Sequence, residues 1–228
     1  MRDLPDIPGG WTTRCIKAAG RSFQITLPAS PDAFLEDRAV LEASRRDDYM
    51  PYWPYLWPAA LPMGEAVARA DWPAGAEVLE IGAGIGWVGL VALARGYRVT
   101  ISDYQATAVE LALYNARANG FPDARGEVLD WRQPSDRRYP VVLGCDVLYE
   151  VRNHAPILDL LDRMLEPQGA AWFGDAGRQH ASPFIRDAKE RGYFVALRDE
   201  RGARLAEPRV GAFQLLVLTR RVQDAEGG

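Results

Sequence analysis

The stretch Val78-Leu-Glu-Ile-Gly-Ala-Gly-Ile-Gly86 decides how the rest of the chain reads. A short apolar strand over 77–81 runs straight into glycines, which allow a tight turn and close approach of a ligand to the backbone. The pattern then repeats. A brief helix is predicted over 87–95, a strand over 98–101, and a helix over 106–119 that stops at Gly120, a residue suited to the left-handed terminating position. Further strands fall at 127–129 and 141–145. A helix over 156–165 ends at the Pro167-Gln-Gly169 turn, and a fifth strand follows at 170–173. Ser182-Pro183 reads as a helix cap followed by a first-turn proline, and 193–197 and 213–218 supply two more strands. Strands alternating with helices of this length imply βαβ units, hence a largely parallel sheet covered on both faces. The last two strands, joined only by a loop, imply an antiparallel finish. Ligands in such α/β sheets bind at the carboxyl ends of the strands, near the point where strand order reverses.

Upstream of this regular region the sequence is irregular. A strand is expected at 23–27 and a helix at 31–43, with Phe34, Leu35, Val40 and Leu41 turned inward. Then comes Met50-Pro-Tyr-Trp-Pro-Tyr-Leu-Trp-Pro58, dense in aromatics and proline. The expected organisation is an N-terminal cap over 1–73, a core over 74–222 and a frayed tail over 223–228.

Composition narrows the function classes. The 228 residues suit one domain at roughly 150 residues per domain, and 48% hydrophobic with 25% charged residues is ordinary for a globular core. A net charge of −4 gives no general attraction to phosphate backbones or anionic lipid, so a nucleic-acid partner is not expected. The longest uncharged runs, 49–64 and 81–94, fall short of the ~18–20 residues of a spanning helix, and the first holds four prolines. The opening residues carry acids and prolines where a signal peptide carries basic then apolar ones, and two cysteines, Cys15 and Cys145, are too few for a disulfide framework. A cytoplasmic protein without a membrane partner is expected. Only Lys17 and Lys189 are lysines among 27 basic residues, a skew that fits a high-GC genome.

The glycines can be spaced two ways. Gly82-x-Gly84-x-Gly86 behind Glu80 is the acidic-glycine loop of S-adenosylmethionine enzymes, whereas Gly84-x-Gly86-x-x-Gly89 is formally a dinucleotide fingerprint. Asp103, after the second strand, can accept from both ribose hydroxyls of either cofactor, with Tyr104 beside it. Glu80 separates the two. A carboxylate at that strand end suits the ammonium of the methionine part and would repel a pyrophosphate. Asp130-Trp131, directly after the third strand, places an acceptor for an adenine amino proton next to an aromatic ring that can cover the base.

The fourth strand ends in Leu143-Gly-Cys-Asp-Val-Leu-Tyr-Glu150. With Glu80-Ile-Gly-Ala-Gly-Ile-Gly86, Asp103 and Asp130-Trp131, this Asp146-Val-Leu-Tyr149 motif resembles the class I, seven-stranded methyltransferases, and within them family 16, mostly protein lysine methyltransferases. The stretch Pro51-Tyr-Trp-Pro-Tyr-Leu-Trp57-Pro and the later Gly174-Asp-Ala-Gly-Arg178 look like segments of bacterial relatives of the electron-transfer-flavoprotein β-subunit lysine methyltransferase. The resemblance runs from about Pro51 to the C-terminus. It implies a Rossmann-like α/β fold, S-adenosylmethionine as methyl donor with S-adenosylhomocysteine as product, and no metal. It also implies a bacterial protein as substrate, the electron transfer flavoprotein β subunit being one candidate. By the same resemblance Asp146 orients the target amine and Tyr149 walls the entry channel. Trp57 lies over the cofactor, and Cys145 offers backbone contacts to its methionine part. Nucleic-acid amino methyltransferases carry two prolines where this chain has Val147 and Leu148, which argues against a base as acceptor.

Other readings stay open at this stage: an N-methyltransferase of small amines, a nicotinamide-dependent oxidoreductase, or a nucleotide-sensing module without turnover. His154 and His180, the only histidines, form no metal-ligand spacing, and His154 reads as a polar residue leading into a helix. Arg45-Arg-Asp-Asp48 reads as a solvated face.

Overall fold

In the computed structural model, which describes residues 4–47 and 50–220, the chain opens with an antiparallel hairpin of β1 (Trp11–Ala18) and β2 (Arg21–Pro28). Only the second strand was expected. β1 is half exposed along its length and carries Thr-Thr-Arg-Cys in place of an apolar alternation, so periodicity gives it no signal. The helix expected over 31–43 is broken: a 3-10 turn, Pro31–Glu36, ends at Asp37, whose backbone is extended. The Asp37 carboxylate accepts the Val40 N–H at 3.1 Å and so starts α1 (Arg38–Asp47) afresh. The break changes the helix phase. Phe34 is buried as expected, but Leu35 and Leu41 face outward at 40% and 41% exposure. The expected tail at 223–228, and part of the Arg45–Asp48 run, lie outside the described residues.

α2 (Ala60–Ala68) was not expected; from β3 onward the elements follow the expected alternation: β3 (Glu77–Ile81), α3 (Trp87–Ala94), β4 (Arg98–Asp103), α4 (Ala106–Ala118), β5 (Arg125–Val128), β6 (Tyr139–Cys145), α5 (His154–Met164), β7 (Leu165–Asp175), α6 (Ala181–Glu190), β8 (Tyr193–Arg198), β9 (Arg204–Leu205) and β10 (Gln214–Arg220). Their sheet order is β5-β4-β3-β6-β7-β10-β8-β9. β5 to β7 are parallel, and β10 runs antiparallel between β7 and β8. The sheet therefore has eight strands where seven were expected. The eighth, β9, is a two-residue return after a tight turn in which Asp199 accepts the N–H groups of Arg201 and Ala203. The Ser182 cap is also displaced: α6 takes His180 as its N-cap residue, and that ring is turned away to donate from Nδ1 to the Tyr149 carbonyl at 2.7 Å.

Period-two alternation sends Val78, Val99, Ile101, Val141 and Leu143 to one face, under α2, α3, α4 and the hairpin. Leu79, Ile81 and Val142 go to the other face, under α5 and α6. His154 belongs to this second layer: it opens α5 as expected, but it is 1% exposed and meets Phe184 edge-on, so it is a core residue. Strand order reverses between β3 and β6, which opens a crevice at their carboxyl ends.

Candidate active site

That crevice is a cavity of about 650 Å3, within the ~300–1,000 Å3 usual for cofactor pockets. Its wall includes Glu80, Gly82 and Gly84 at the end of β3, Asp103 and Tyr104 at the end of β4, Asp130 and Trp131 after β5, and Cys145, Asp146 and Tyr149 at the end of β6. Trp57 closes it from the N-terminal side, together with Tyr52, Trp53 and Tyr55. Gly86 is the one expected site residue that does not line it. It sits at the N-cap of α3 with φ of 81°, and a Cβ there would lie 2.5 Å from the Ala112 Cβ, so its role is to let α3 pack against α4.

The glycine loop is held from beneath by two carboxylates. Asp103 accepts the Gly84 N–H on Oδ2 and the Gln105 N–H on Oδ1, both at 2.9 Å. Burial pushes its carboxyl above the ordinary range even though these backbone N–H groups favour the charged form. Glu80 is 2% exposed and accepts the Gly89 N–H on Oε2 at 3.0 Å; burial raises its carboxyl from 4.5 to about 8. Gly89 leaves room for that bond, since a Cβ would stand 2.3 Å from Oε2. Asn115 of α4, fully buried, completes the support by donating to the Ile85 carbonyl at 3.0 Å while pairing with both backbone groups of Thr26 in β2. Nothing in the periodicity marked it, because a polar residue on a buried helix face reads as an interruption.

After β5, Asp130 takes three hydrogen bonds from Arg132, one from the backbone N–H and two from Nε. Burial opposes ionisation there, but these bonds outweigh it and the carboxyl lies below its usual range. The Arg132 guanidinium also covers the exposed Tyr104 ring at 5.4 Å, so Tyr104, Asp130 and Arg132 form a rim beside Trp131.

The other end of the cavity is built on Asp146. Its backbone adopts φ of 55° directly after β6 and donates its N–H to the Gly174 carbonyl of β7. The side chain is almost fully buried. Oδ2 accepts the Ala59 N–H at 2.9 Å, and Oδ1 is hydrogen-bonded and ion-paired to Arg178 Nη1. Burial raises this carboxyl, with the Arg178 charge opposing. Asp146 thus ties the aromatic segment to the sheet, a contact the sequence did not foretell. The nearby rings are close-set: Tyr52 to Tyr149 at 4.7 Å, Tyr52 to Trp57 at 6.0 Å, and Tyr55 to Trp57 at 5.3 Å. Trp53 instead turns into the core against Phe34. Burial drives the Tyr149 hydroxyl well above its ordinary value, so it stays protonated, and it also pushes up the Cys145 thiol.

The family model for lysine methyltransferases matches residues 56–191, more than half of the chain and all four strand ends just described. The chain belongs to the lysine methyltransferase family. It is 34% identical over 119 residues to mouse EEF1A lysine methyltransferase 3, an overlap of 49% of this chain and 51% of that relative, so the match spans about half of the relative's length. Among solved structures it is similar to a TehB-like SAM-dependent methyltransferase from Corynebacterium glutamicum, with a TM-score of 0.60 and 19% identity, covering 85% of this chain and all of that one. It is also similar to the N-methyltransferase NodS from Bradyrhizobium japonicum, solved with S-adenosyl-L-homocysteine, with a TM-score of 0.59 and 16% identity over 81% of this chain and all of that one. These likenesses establish the fold.

The residues of this family member suit S-adenosylmethionine as a methyl donor. Glycines that tolerate no side chain border the cavity: a Cβ on Gly82 would stand 2.8 Å from Val147, and one on Gly84 would stand 3.1 Å from the Trp53 carbonyl. Carboxylates stand at all four strand ends: Glu80, Asp103, Asp130 and Asp146. Among the described residues, no group of three or more His, Cys, Asp or Glu side chains is placed to hold a metal ion.

Proposed function

We propose that the chain methylates a lysine ε-amine of a bacterial protein in the cytosol, with the electron transfer flavoprotein β subunit a first candidate to try. The observation that carries this reading is the position of Asp146: a buried carboxylate that lines the same cavity as the rings of Tyr52, Trp57 and Tyr149. Rings of Tyr52, Trp57 and Tyr149 around a carboxylate suit a long aliphatic chain ending in a cation. Glu80 would face the donor's ammonium, Asp103 its ribose hydroxyls, and Asp130 with Trp131 its adenine. The overlap with a relative named for lysine methylation supports a protein acceptor. The surplus of arginine over lysine supports a bacterial source. No helix among the described residues is long and apolar enough to cross a membrane, which agrees with the cytosolic reading.

S-adenosylmethionine supplies an electrophilic methyl group, and the protein's task is to align the amine with it. A free lysine has a pKa near 10.4, so neutralising it at pH 7.4 costs about 4 kcal/mol. Asp146 does not supply that energy, because a carboxylate favours the protonated amine. It holds the amine by hydrogen bonding and stabilises the positive charge that develops on nitrogen, while Tyr52, Trp57 and Tyr149 keep water away. The acceptor docks as an ammonium, and its proton leaves to solvent before the methyl is transferred.

Labelled S-adenosylmethionine added to the enzyme and a desalted bacterial lysate tests the reading, with Asp146→Asn as control. Asn keeps the size of the side chain and tolerates the positive φ. Label on a discrete protein band is expected, lost by about 100-fold or more in the variant with S-adenosylhomocysteine affinity little changed. Label that appears only when small metabolites are returned overturns the protein substrate and favours a small amine.

A further inference from the structure

The carboxylate that the proposed function assigns to the acceptor amine already has a cation on it. Arg178, on the loop between β7 and α6, pairs its Nη1 with Asp146 Oδ1 and lays its guanidinium 5.7 Å from the centre of the Trp57 ring. A cation between a buried carboxylate and an aromatic face is what an alkylammonium would also form there. Arg178 reaches this seat from the solvent side: its side chain is a quarter exposed, whereas that of Asp146 is 1% exposed.

A second carboxylate waits beside it. Asp175 is fully buried, and its Oδ1 is fixed by the N–H groups of Gly177 and Arg178 at 2.8 Å and by Gln214 Nε2 at 3.1 Å. Its Oδ2 has no hydrogen bond and lies 3.8 Å from the same Arg178 Nη1. A buried carboxylate oxygen without a donor is costly, and here the missing donor is one small movement away.

We infer that Arg178 is a displaceable stand-in for the acceptor's positive charge and thereby sets the enzyme's choice of acceptor. With no acceptor bound, the guanidinium fills the seat between Asp146 and Trp57. When an ammonium enters, the guanidinium passes to Asp175 Oδ2, and Asp146 Oδ1 and the Trp57 face go to the newcomer. Two carboxylates and one guanidinium carry a net charge of −1, which one further cation neutralises. A neutral amide or a hydroxyl brings no charge to displace Arg178, so such acceptors are refused. The inference rests on Asp146 being the anchor of the amine.

The test needs no turnover. n-Butylammonium, which carries the end of a lysine side chain, is titrated calorimetrically at pH 8 into the S-adenosylhomocysteine complexes of the wild type, Arg178→Met, Arg178→Lys and Asp146→Asn. If Arg178 holds the seat about nine-tenths of the time, Arg178→Met binds the amine about tenfold more tightly than the wild type. Arg178→Lys, which keeps the charge, is expected to bind like the wild type, and Asp146→Asn to lose binding. A purely structural Arg178 would lower affinity when removed and never raise it. Loss in Asp146→Asn without a gain in Arg178→Met overturns the role of Arg178 and leaves the anchor standing. Equal binding by the wild type and Asp146→Asn removes the anchor, and the inference with it. Should Arg178→Met fail to fold, judged by its thermal transition, Asp175→Asn replaces it. That variant withdraws the anionic landing place and is expected to weaken amine binding several-fold with S-adenosylhomocysteine affinity unchanged. Undiminished amine binding in Asp175→Asn overturns the exchange.

Discussion

Glu80 shows how one buried carboxyl can carry both a stability signal and a binding signal. Its pKa of about 8 in the folded chain lies above the ordinary 4.5, so the native state holds a proton that the unfolded state has released. Stability must therefore fall as pH climbs from about 4.5 towards 8, and then level off, by an amount on the order of a few kcal/mol. Glu80→Gln keeps an acceptor for the Gly89 N–H and removes the titration. Urea denaturation between pH 5 and 9 is expected to give a sloping wild type and a flatter variant, with the variant the more stable above pH 8. If the donor's ammonium sits against Glu80, it favours the charged carboxylate, and binding at pH 7 releases up to one proton. Calorimetry of S-adenosylmethionine binding in buffers of different ionisation enthalpy measures that release, and Glu80→Gln should abolish it.

Among the elements, α4 links the donor pocket to the N-terminal hairpin. Asn115 satisfies the Ile85 carbonyl in the glycine loop and both backbone groups of Thr26 at once. Asn115→Ala strands three buried polar groups and is expected to cost about 2–4 kcal/mol by denaturant titration, with weaker S-adenosylhomocysteine binding because the loop loses a support. The loop itself was legible in the sequence, since strand, glycines, helix and a following acid recur in order, and the four strand ends followed from it. The supports were not legible. The Ala59 N–H on Asp146, Asn115 on Ile85 and the Arg178 clasp each join residues at least 30 positions apart, and no local pattern encodes such a pairing. The N-terminal elements failed for different reasons: β1 is too polar to alternate, and Asp37 restarts a helix that apolar spacing alone would have continued.

Across the whole molecule, the hairpin and the sheet share one hydrophobic layer. Phe23 and Ile25 of β2 pack with Trp87, Leu111 and Val99, and the Phe23 ring meets Trp87 edge-on at 5.5 Å. Phe23→Ala is expected to cost about 3–4 kcal/mol of global stability, visible as a single lowered transition and not as a separate early one. The hairpin is docked further by a second amide, that of Asn119 at the C-cap of α4: Asn119 Oδ1 accepts the Gln24 N–H at 2.9 Å and Nδ2 donates to the Gln24 carbonyl at 2.8 Å. Asn119 is followed by Gly120, a pair that in a slack chain loses its side-chain amide by attack of the glycine nitrogen. In the folded protein the N–H on that nitrogen donates to the Arg117 carbonyl, and the amide is engaged on both its oxygen and its nitrogen. The corner is therefore a slow chemical clock. Each opening exposes it to an irreversible deamidation that puts a carboxylate opposite the Gln24 and Asn115 carbonyl oxygens, both of which the amide nitrogen now meets at 2.8 Å, so the acidic form that accumulates on storage counts how often the hairpin has let go.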